Sequence, residues 1–472
     1  MNKSTLAKMV ALGFASSAGM AFAQSSLTLY GNFDVAIDNV HKGQGYIGDN
    51  TYLTQTIPTL AGLGVLKAGG SLADATAAQA AAAAKLRAAY ANPSTLNRVT
   101  QSISSQNAIG VKGVEDMGGG YKGNFVLEGQ FASDTGAQSG QDNRMWGRQA
   151  YAGLTTPFGE IRAGRQYAPM FYTFALSTVE ILGASDLMGF GLVVNSLQNR
   201  QDNQISYWIR NGGLTASVAY SPNAGVDKYI SSARNGVASG SANGQIIGAI
   251  NAGAETTGAQ GRGQSLGFFA NYAVDSSLNV TGAYHTNKFG DASVVDASTA
   301  LPLVALDRYY SIALGSKYKA PSTGTVFGIN YLYSKFKNDA TSNVDSIQMN
   351  TVAFGVKHPI DQFAVGFEGA YSQFTNFTKG KDFALMFSGD YNFSKRTRLY
   401  TRFGMLKDLR GKPANLDTTT LPVVGAVTPA VTGGPVPILT GFGSTELPFF
   451  AGGGANIDST SRVFSIGVRH EF

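Results

Sequence analysis

The two ends of the chain share one pattern, and it limits the fold more than any other feature. Over the last nine residues the side chains alternate with period two: Phe464, Ile466, Val468 and Phe472 point to one side, Ser465, Arg469 and Glu471 to the other. The segment from Leu27 repeats this, with Leu27, Leu29, Phe33, Val35 and Ile37 on one face and Thr28, Tyr30, Asn32, Asp34 and Asp38 on the other. Two such strands can pair and close a sheet on itself, which leaves no unsatisfied edge. Further segments of the same type begin near Gln106, Tyr121, Met145, Glu160, Asn203, Leu214, Ser265, Leu278, Arg308, Thr325, Asp345, Phe363, Asp382 and Thr397. With the two ends this makes sixteen strands, enough to enclose an aqueous lumen.

The connections alternate in length. Glu115 to Gly120, Asn211 to Gly213, Val274 to Ser277 and Pro359 to Gln362 read as short turns at one end; 41–105, 167–202, 222–264 and 407–460 read as long outer loops. The expected fold is all-β, a sixteen-stranded antiparallel transmembrane barrel over residues 24–472.

Composition agrees with a barrel and excludes other classes. Residues 1–23 read as an export signal, with Lys3 and Lys8, an apolar core from Met9 to Met20, and an Ala21-Phe22-Ala23 cleavage site. Without them the chain carries 34 basic and 30 acidic residues, an excess of +4 that is too small and dispersed to argue for nucleic acid. Beyond that segment no run of about 18 apolar residues could form a spanning helix. There is no cysteine, so thiolate metal sites, cysteine nucleophiles and disulfides are excluded. The 59 glycines, 21 tyrosines and 28 phenylalanines with near-zero mean hydropathy suit a wall whose two faces cancel in any averaging window.

The excursion 41–105 holds the only strong helix signal, over about 71–91. Ser71 and Asp74 read as N-cap and capping partner, an alanine-rich run follows, and Asn92-Pro93 stops it. Lys85 and Arg87 lie where the helix dipole favours cations, and Leu72, Leu86 and Tyr90 form a narrow apolar stripe. The helix is either an ornament on the first outer loop or an element that narrows the mouth or packs on a neighbouring subunit.

The block Ile109 to Tyr121, IGVKGVEDMGGGY, resembles the GxKGxEDLGGGL hairpin of Gram-negative porins of the beta-proteobacterial branch. Leu29-Tyr30-Gly31 resembles their first strand, Gly147 to Leu154 their GRQAYVGL strand, Gly164-Arg165-Gln166-Tyr167 the strand entering loop three, and Gly467 to Phe472 their GVRHKF ending. Five pieces in order cover the first 210 residues apart from the helical insertion; the remainder fits through strand pattern.

The resemblance implies a homotrimer in the outer membrane, in contact with lipid and lipopolysaccharide, passing small hydrophilic solutes and ions by passive diffusion. It also implies a loop three folded into the barrel, with basic wall residues facing acids on the loop. By position, Arg148 and Arg200 match the basic wall, and Glu180 and Asp186 are the only acids of loop three. The family usually has arginine at the position of Ala108, and some relatives have lysine at that of Asn32; both are neutral here, so a weak anion preference is expected.

Each assignment has a plainer counterpart. Arg148 could form a structural pair within the wall, and Glu180 and Asp186 could cap their own loop. Alternation places Lys112, Glu128, Arg162, Arg398 and Arg402 on the lumen face, and Arg165 on the outer face as an interface or loop anchor. His41, His285, His358 and His470 are dispersed without ligand spacing, so neither a metal nor a cofactor is expected. No Ser/His constellation suggests an enzyme. The alternative function is a channel selective for organic acids or sugars, narrowed by the first-loop helix. Deleting Gly69 to Asn92 and recording unchanged conductance in planar bilayers would assign that helix to ornament; a wider pore would make it part of the mouth.

Overall fold

The computed structural model describes residues 25–43, 71–77, 80–81, 94–100, 107–138, 144–181, 200–224, 228–231, 247–250, 263–288, 306–338, 347–375, 381–408 and 460–472. The expected signal segment and Asp186 lie outside them.

The first half of the chain contributes β1 (Ser26–Lys42), β2 (Ser94–Thr100), β3 (Ala108–Gly118), β4 (Tyr121–Gln130), β5 (Gln149–Thr156), β6 (Gly159–Tyr167), β7 (Arg200–Asn211) and β8 (Leu214–Ser221). A separate hairpin, β9 (Lys228–Ser231) with β10 (Ile247–Ile250), follows. The second half contributes β11 (Ser265–Ala273), β12 (Leu278–Lys288), β13 (Leu306–Lys319), β14 (Val326–Asn338), β15 (Ile347–Ile360), β16 (Phe363–Thr375), β17 (Lys381–Asn392), β18 (Thr397–Asp408) and β19 (Thr460–Glu471).

Apart from β9 and β10, every strand pairs antiparallel with its neighbours. The sheet closes where β1 meets β19, from Asn32 opposite Glu471 to Lys42 opposite Ser461. The other side of β1 is covered in two pieces: Ser26 to Asn32 pair with β3, and Ala36 to Lys42 with β2. Counted as one interrupted strand, β2 and β3 make this a closed barrel of sixteen strands, as expected.

Three features depart from the sequence reading. Ser94–Thr100, assigned to the first outer loop, belongs to the wall. The loop 222–264 contains the β9–β10 hairpin. A second helix, Pro169–Ser177, lies inside loop three. In the first outer loop, 72–77 and 80–81 are helical, while Lys85, Leu86, Arg87 and Tyr90 fall outside the described residues. The cap at its start is a reciprocal box: Asp74 N–H donates to Ser71 Oγ at 3.2 Å, and Ser71 N–H donates to Asp74 Oδ2 at 3.1 Å. Ser71 holds the Asp74 carboxyl below its ordinary value, so the box is intact at neutral pH and comes apart as the pH falls through that lowered value.

The short turns are as tight as their residues permit. Between β3 and β4, Gly118, Gly119 and Gly120 have φ of 81°, 62° and 84°, left-handed values that explain the GGG of the motif. The same end of the barrel gathers Tyr121, Phe158, Tyr272, Tyr318, Phe363 and Phe393, all exposed, as a membrane-interface girdle requires.

Alternation sorts the wall into two faces. Leu29, Ile37, Ile161, Phe268, Leu314, Phe354, Phe403 and Phe464 point outward and are exposed, while Asp34, Ala36, Ala313, Ala353, Ser388 and Arg402 point inward and are buried. So large an exposed apolar surface suits only a hydrocarbon surround. A cation at mid-strand on the outer face should therefore destabilise the barrel: Phe354→Arg is expected to cost about 2–4 kcal/mol in reversible unfolding from lipid vesicles. A cost near zero would mean that this face does not meet lipid.

Candidate functional site

Loop three leaves β6 at Tyr167 and turns at once into the helix Pro169–Ser177. Proline at its first position begins the helix without losing a hydrogen bond, since the first N–H groups of a helix have no partner within it. Pro169, Met170, Thr173, Phe174 and Ser177 are buried, a helical spacing that turns one side to the barrel wall. The helix ends where Thr178 N–H donates to the Phe174 carbonyl at 3.1 Å. The sequence hid this helix because Ala168 offers no side-chain cap and the first turn carries no acid.

The wall receives this segment in a groove made by missing side chains. A Cβ on Gly267 would stand 2.7 Å from Pro169 Cγ, one on Gly328 2.5 Å from the Ser177 carbonyl, and one on Gly355 2.6 Å from Val179 Cγ2. A Cβ on Gly366 would stand 3.1 Å from Ile181 Cδ1. These glycines have inward parity on β11, β14, β15 and β16, so residues 169–181 run along the inner face of the barrel. Polar groups tie the loop backbone down. Asn279 Nδ2 donates to the Leu176 carbonyl at 3.0 Å, Asn330 Nδ2 to that of Ser177 at 3.3 Å, and Arg402 Nε to that of Ile181 at 2.8 Å.

Where loop three begins, the two wall arginines meet. Arg148 Nε donates to Glu128 Oε1 at 2.5 Å, and its terminal nitrogen donates to the Tyr167 hydroxyl at 2.8 Å. Arg200 lies over the Tyr167 ring, 5.1 Å from its centre. Glu128 also accepts from the Tyr30 hydroxyl at 2.8 Å, and Lys112 stands 5.3 Å over the Tyr30 ring. Arg148 is thus both a lumen-face residue and half of a wall ion pair. The acid it meets is Glu128 on β4. Glu180 sits further along, where Lys357 Nζ reaches its carbonyl at 3.5 Å, and Ile181, next to it, bonds to Arg402 on β18.

The remaining charges fall into similar groups. Arg162 grips Glu160 with two bonds of 2.8 and 2.9 Å between the rings of Tyr151 and Trp208, and Arg210 reaches the same carboxylate at 3.3 Å. Asp202 is shared by Arg144, at 2.7 Å, and Arg165. Asp390 is shared by Arg402 at 2.6 Å, Lys357 at 2.8 Å and Arg398 at 3.9 Å.

Arg165 stands opposite Ala150 on β5 and anchors the loop base, donating to the Gly147 carbonyl at 2.8 Å and pairing with Asp202. The β6–β7 register shifts beside it, between Gly164 and Gln166, where Asn203 at φ 52° is the extra residue on β7. Alternation alone could have found Asp390, which shares inward parity with Ser388, but not that three cations converge on it.

A sequence profile of the Gram-negative porins matches residues 7–410. The chain is 28% identical to outer membrane porin protein 32 of Delftia acidovorans over 45% of this chain and 48% of that one, so this match spans about half the relative's length. It is 27% identical to major outer membrane protein P.IB of Neisseria meningitidis serogroup B over 66% of this chain and 80% of that one. Among solved structures, an anion-selective porin from Comamonas acidovorans superposes with a TM-score of 0.54 at 19% identity, covering 95% of this chain and 100% of that one. OmpT of Vibrio cholerae in its trimer form superposes with a TM-score of 0.52 at 11% identity, covering 95% and 99%.

The groove makes a prediction whose sign is diagnostic. A glycine in an ordinary strand weakens it, so valine there should stabilise. Gly355→Val should instead destabilise by about 1–3 kcal/mol, because the added carbons enter Val179. Urea unfolding of the folded barrel measures this; stabilisation would mean that residues 169–181 do not lie in the groove.

Proposed function

This chain belongs to the Gram-negative porin family, and we propose that it is an outer-membrane diffusion channel for small hydrophilic solutes and ions, with a weak preference for anions. The observation that carries the preference is the sharing of carboxylates. Glu160 serves two arginines, Asp390 serves Lys357 and Arg398 besides the covered Arg402, and Arg148 and Arg200 together face the single Glu128. The lumen wall is therefore locally cation-rich, and low-dielectric walls focus its field on passing ions. Asp34, Asp38 and Glu180 offset part of it, which keeps the preference weak.

The constriction in this reading is formed by the wall-bound part of loop three and the Arg148–Tyr167–Arg200 group beside it. Arginine suits that place because its planar, permanently charged head can be held by several bonds at once. Three copies side by side are the proposed assembly. The outer face around β5 and β6, where small Ala152 and Ala163 are cross-strand neighbours beside exposed Leu154 and Ile161, is the proposed contact with another barrel. An export signal over residues 1–23 fits delivery to the outer membrane.

Planar bilayers under a salt gradient test the reading. Large ohmic steps and a small reversal potential of anion sign are expected. Removing one wall charge should change the ion energy on the order of 1 kcal/mol, a few-fold in permeability ratio. Arg148→Ala and Arg200→Ala should move selectivity toward cations, and Glu128→Gln toward anions. Absence of ohmic steps would overturn the channel reading; no shift from any of the three would displace the constriction.

A further inference from the structure

We propose that Arg402 is the latch that fixes loop three to the wall at Ile181, with Asp390 as its keeper, so that Arg402 sets where the loop stands and takes no direct part in conduction. This rests on the channel reading for its consequence but not for its geometry.

Arg402 points inward from β18, yet none of its side chain is exposed, because the loop lies over it. Its donors divide between two bodies. Nε donates to the Ile181 carbonyl on the loop at 2.8 Å. One terminal nitrogen donates to Asp390 Oδ1 at 2.6 Å and to the wall carbonyl of Thr401 at 2.8 Å. The guanidinium lies 4.8 Å over the Tyr400 ring, which holds its plane. A single rigid fork thus joins loop to wall, an arrangement a lysine ammonium cannot reproduce.

Two features make this bond decisive for the loop. Ile181 is fully buried and Val179 almost so, seated against Gly366 and Gly355, while Glu180 between them is exposed at φ 60°. A non-glycine residue in the left-handed region persists only when its surroundings hold it. The groove seats the side chains on both sides of Glu180, and Arg402 holds the backbone after it. Losing the Arg402 bond would leave a buried carbonyl without its donor and let Glu180 relax, lifting Val179 from its seat. Asp390 keeps Lys357 and Arg398 as partners when Arg402 is removed, so no lone buried acid is created.

The chain has no cysteine, so a single introduced thiol reports without background. In folded protein carrying Val179→Cys, reaction with a membrane-impermeant maleimide reports how often the loop leaves the groove. Adding Arg402→Met should speed labelling roughly tenfold, the equilibrium change for a lost charge-assisted hydrogen bond, and Arg402→Lys should give an intermediate rate. Labelling of Ala36→Cys, buried on β1, should not change. Equal acceleration at both positions would mean general loosening and overturn the latch, as would an unchanged rate at position 179. If Arg402→Met does not fold, Arg402→Lys and Asp390→Asn carry the same test, and unchanged labelling in both overturns it. Because labelling does not depend on current, failure of the channel reading would show separately in the bilayer.

Discussion

Inside a bilayer no water is available to satisfy a backbone N–H or C=O, and this governs the rest of the molecule. A sheet meets it only by closing, which places the demand on β1, the strand with partners from both ends of the chain. On one side it runs with β19 from Asn32 to Lys42. On the other side its described ladder comes in two pieces, with β3 up to Asn32 and with β2 from Ala36. Side chains take over in the gap: Asp34 N–H donates to the Asn107 side-chain oxygen, and the Ser133 hydroxyl donates to the Asp34 carbonyl at 2.7 Å. The interruption is tolerated because it is satisfied residue by residue.

Closure also fixes which side chains face inward, and loop three is built on that. Its backbone cannot join the wall's ladder, so its carbonyls take donors from Asn279, Asn330 and Arg402, and its bulk takes the space that glycine leaves. The wall thereby gives up strand propensity for position. A glycine inside a strand costs about 0.5–1 kcal/mol relative to alanine, so a row of them is worth keeping only where something lies against it.

The barrel was legible in the sequence because period two survives in any single strand: inward Asp34 and outward Phe33 can be read without knowing their neighbours. What escaped depends on relations across strands or on broken periodicity. Ser94–Thr100 reads as loop until it is paired with β1. Arg165 reads as an isolated cation until the fold brings Asp202 and the Gly147 carbonyl to it. The loop-three helix carries proline at its start and no polar cap, so its strongest cue, burial of one face against glycines on distant strands, is invisible locally. Arg148 and Arg200 could be named from the family motif, but the carboxylate beside them, Glu128, is a matter of which strands pair.

The way the arginines are paired bears on how a channel can have a preference and still conduct. A lone guanidinium in a narrow, low-dielectric passage would hold an anion in its bidentate fork and slow its release. Here Glu128 and the Tyr167 hydroxyl each take a donor of Arg148, Glu160 takes two bonds from Arg162, and Asp390 holds Arg402 beneath the loop. Each shared carboxylate lowers the depth of the anion well while leaving a net positive field, since two or three cations answer to one acid. The pairing also fixes the arginines in place, so the field belongs to the wall and does not reorganise as ions pass. A channel made this way trades binding strength for throughput, which is what passive diffusion asks of it.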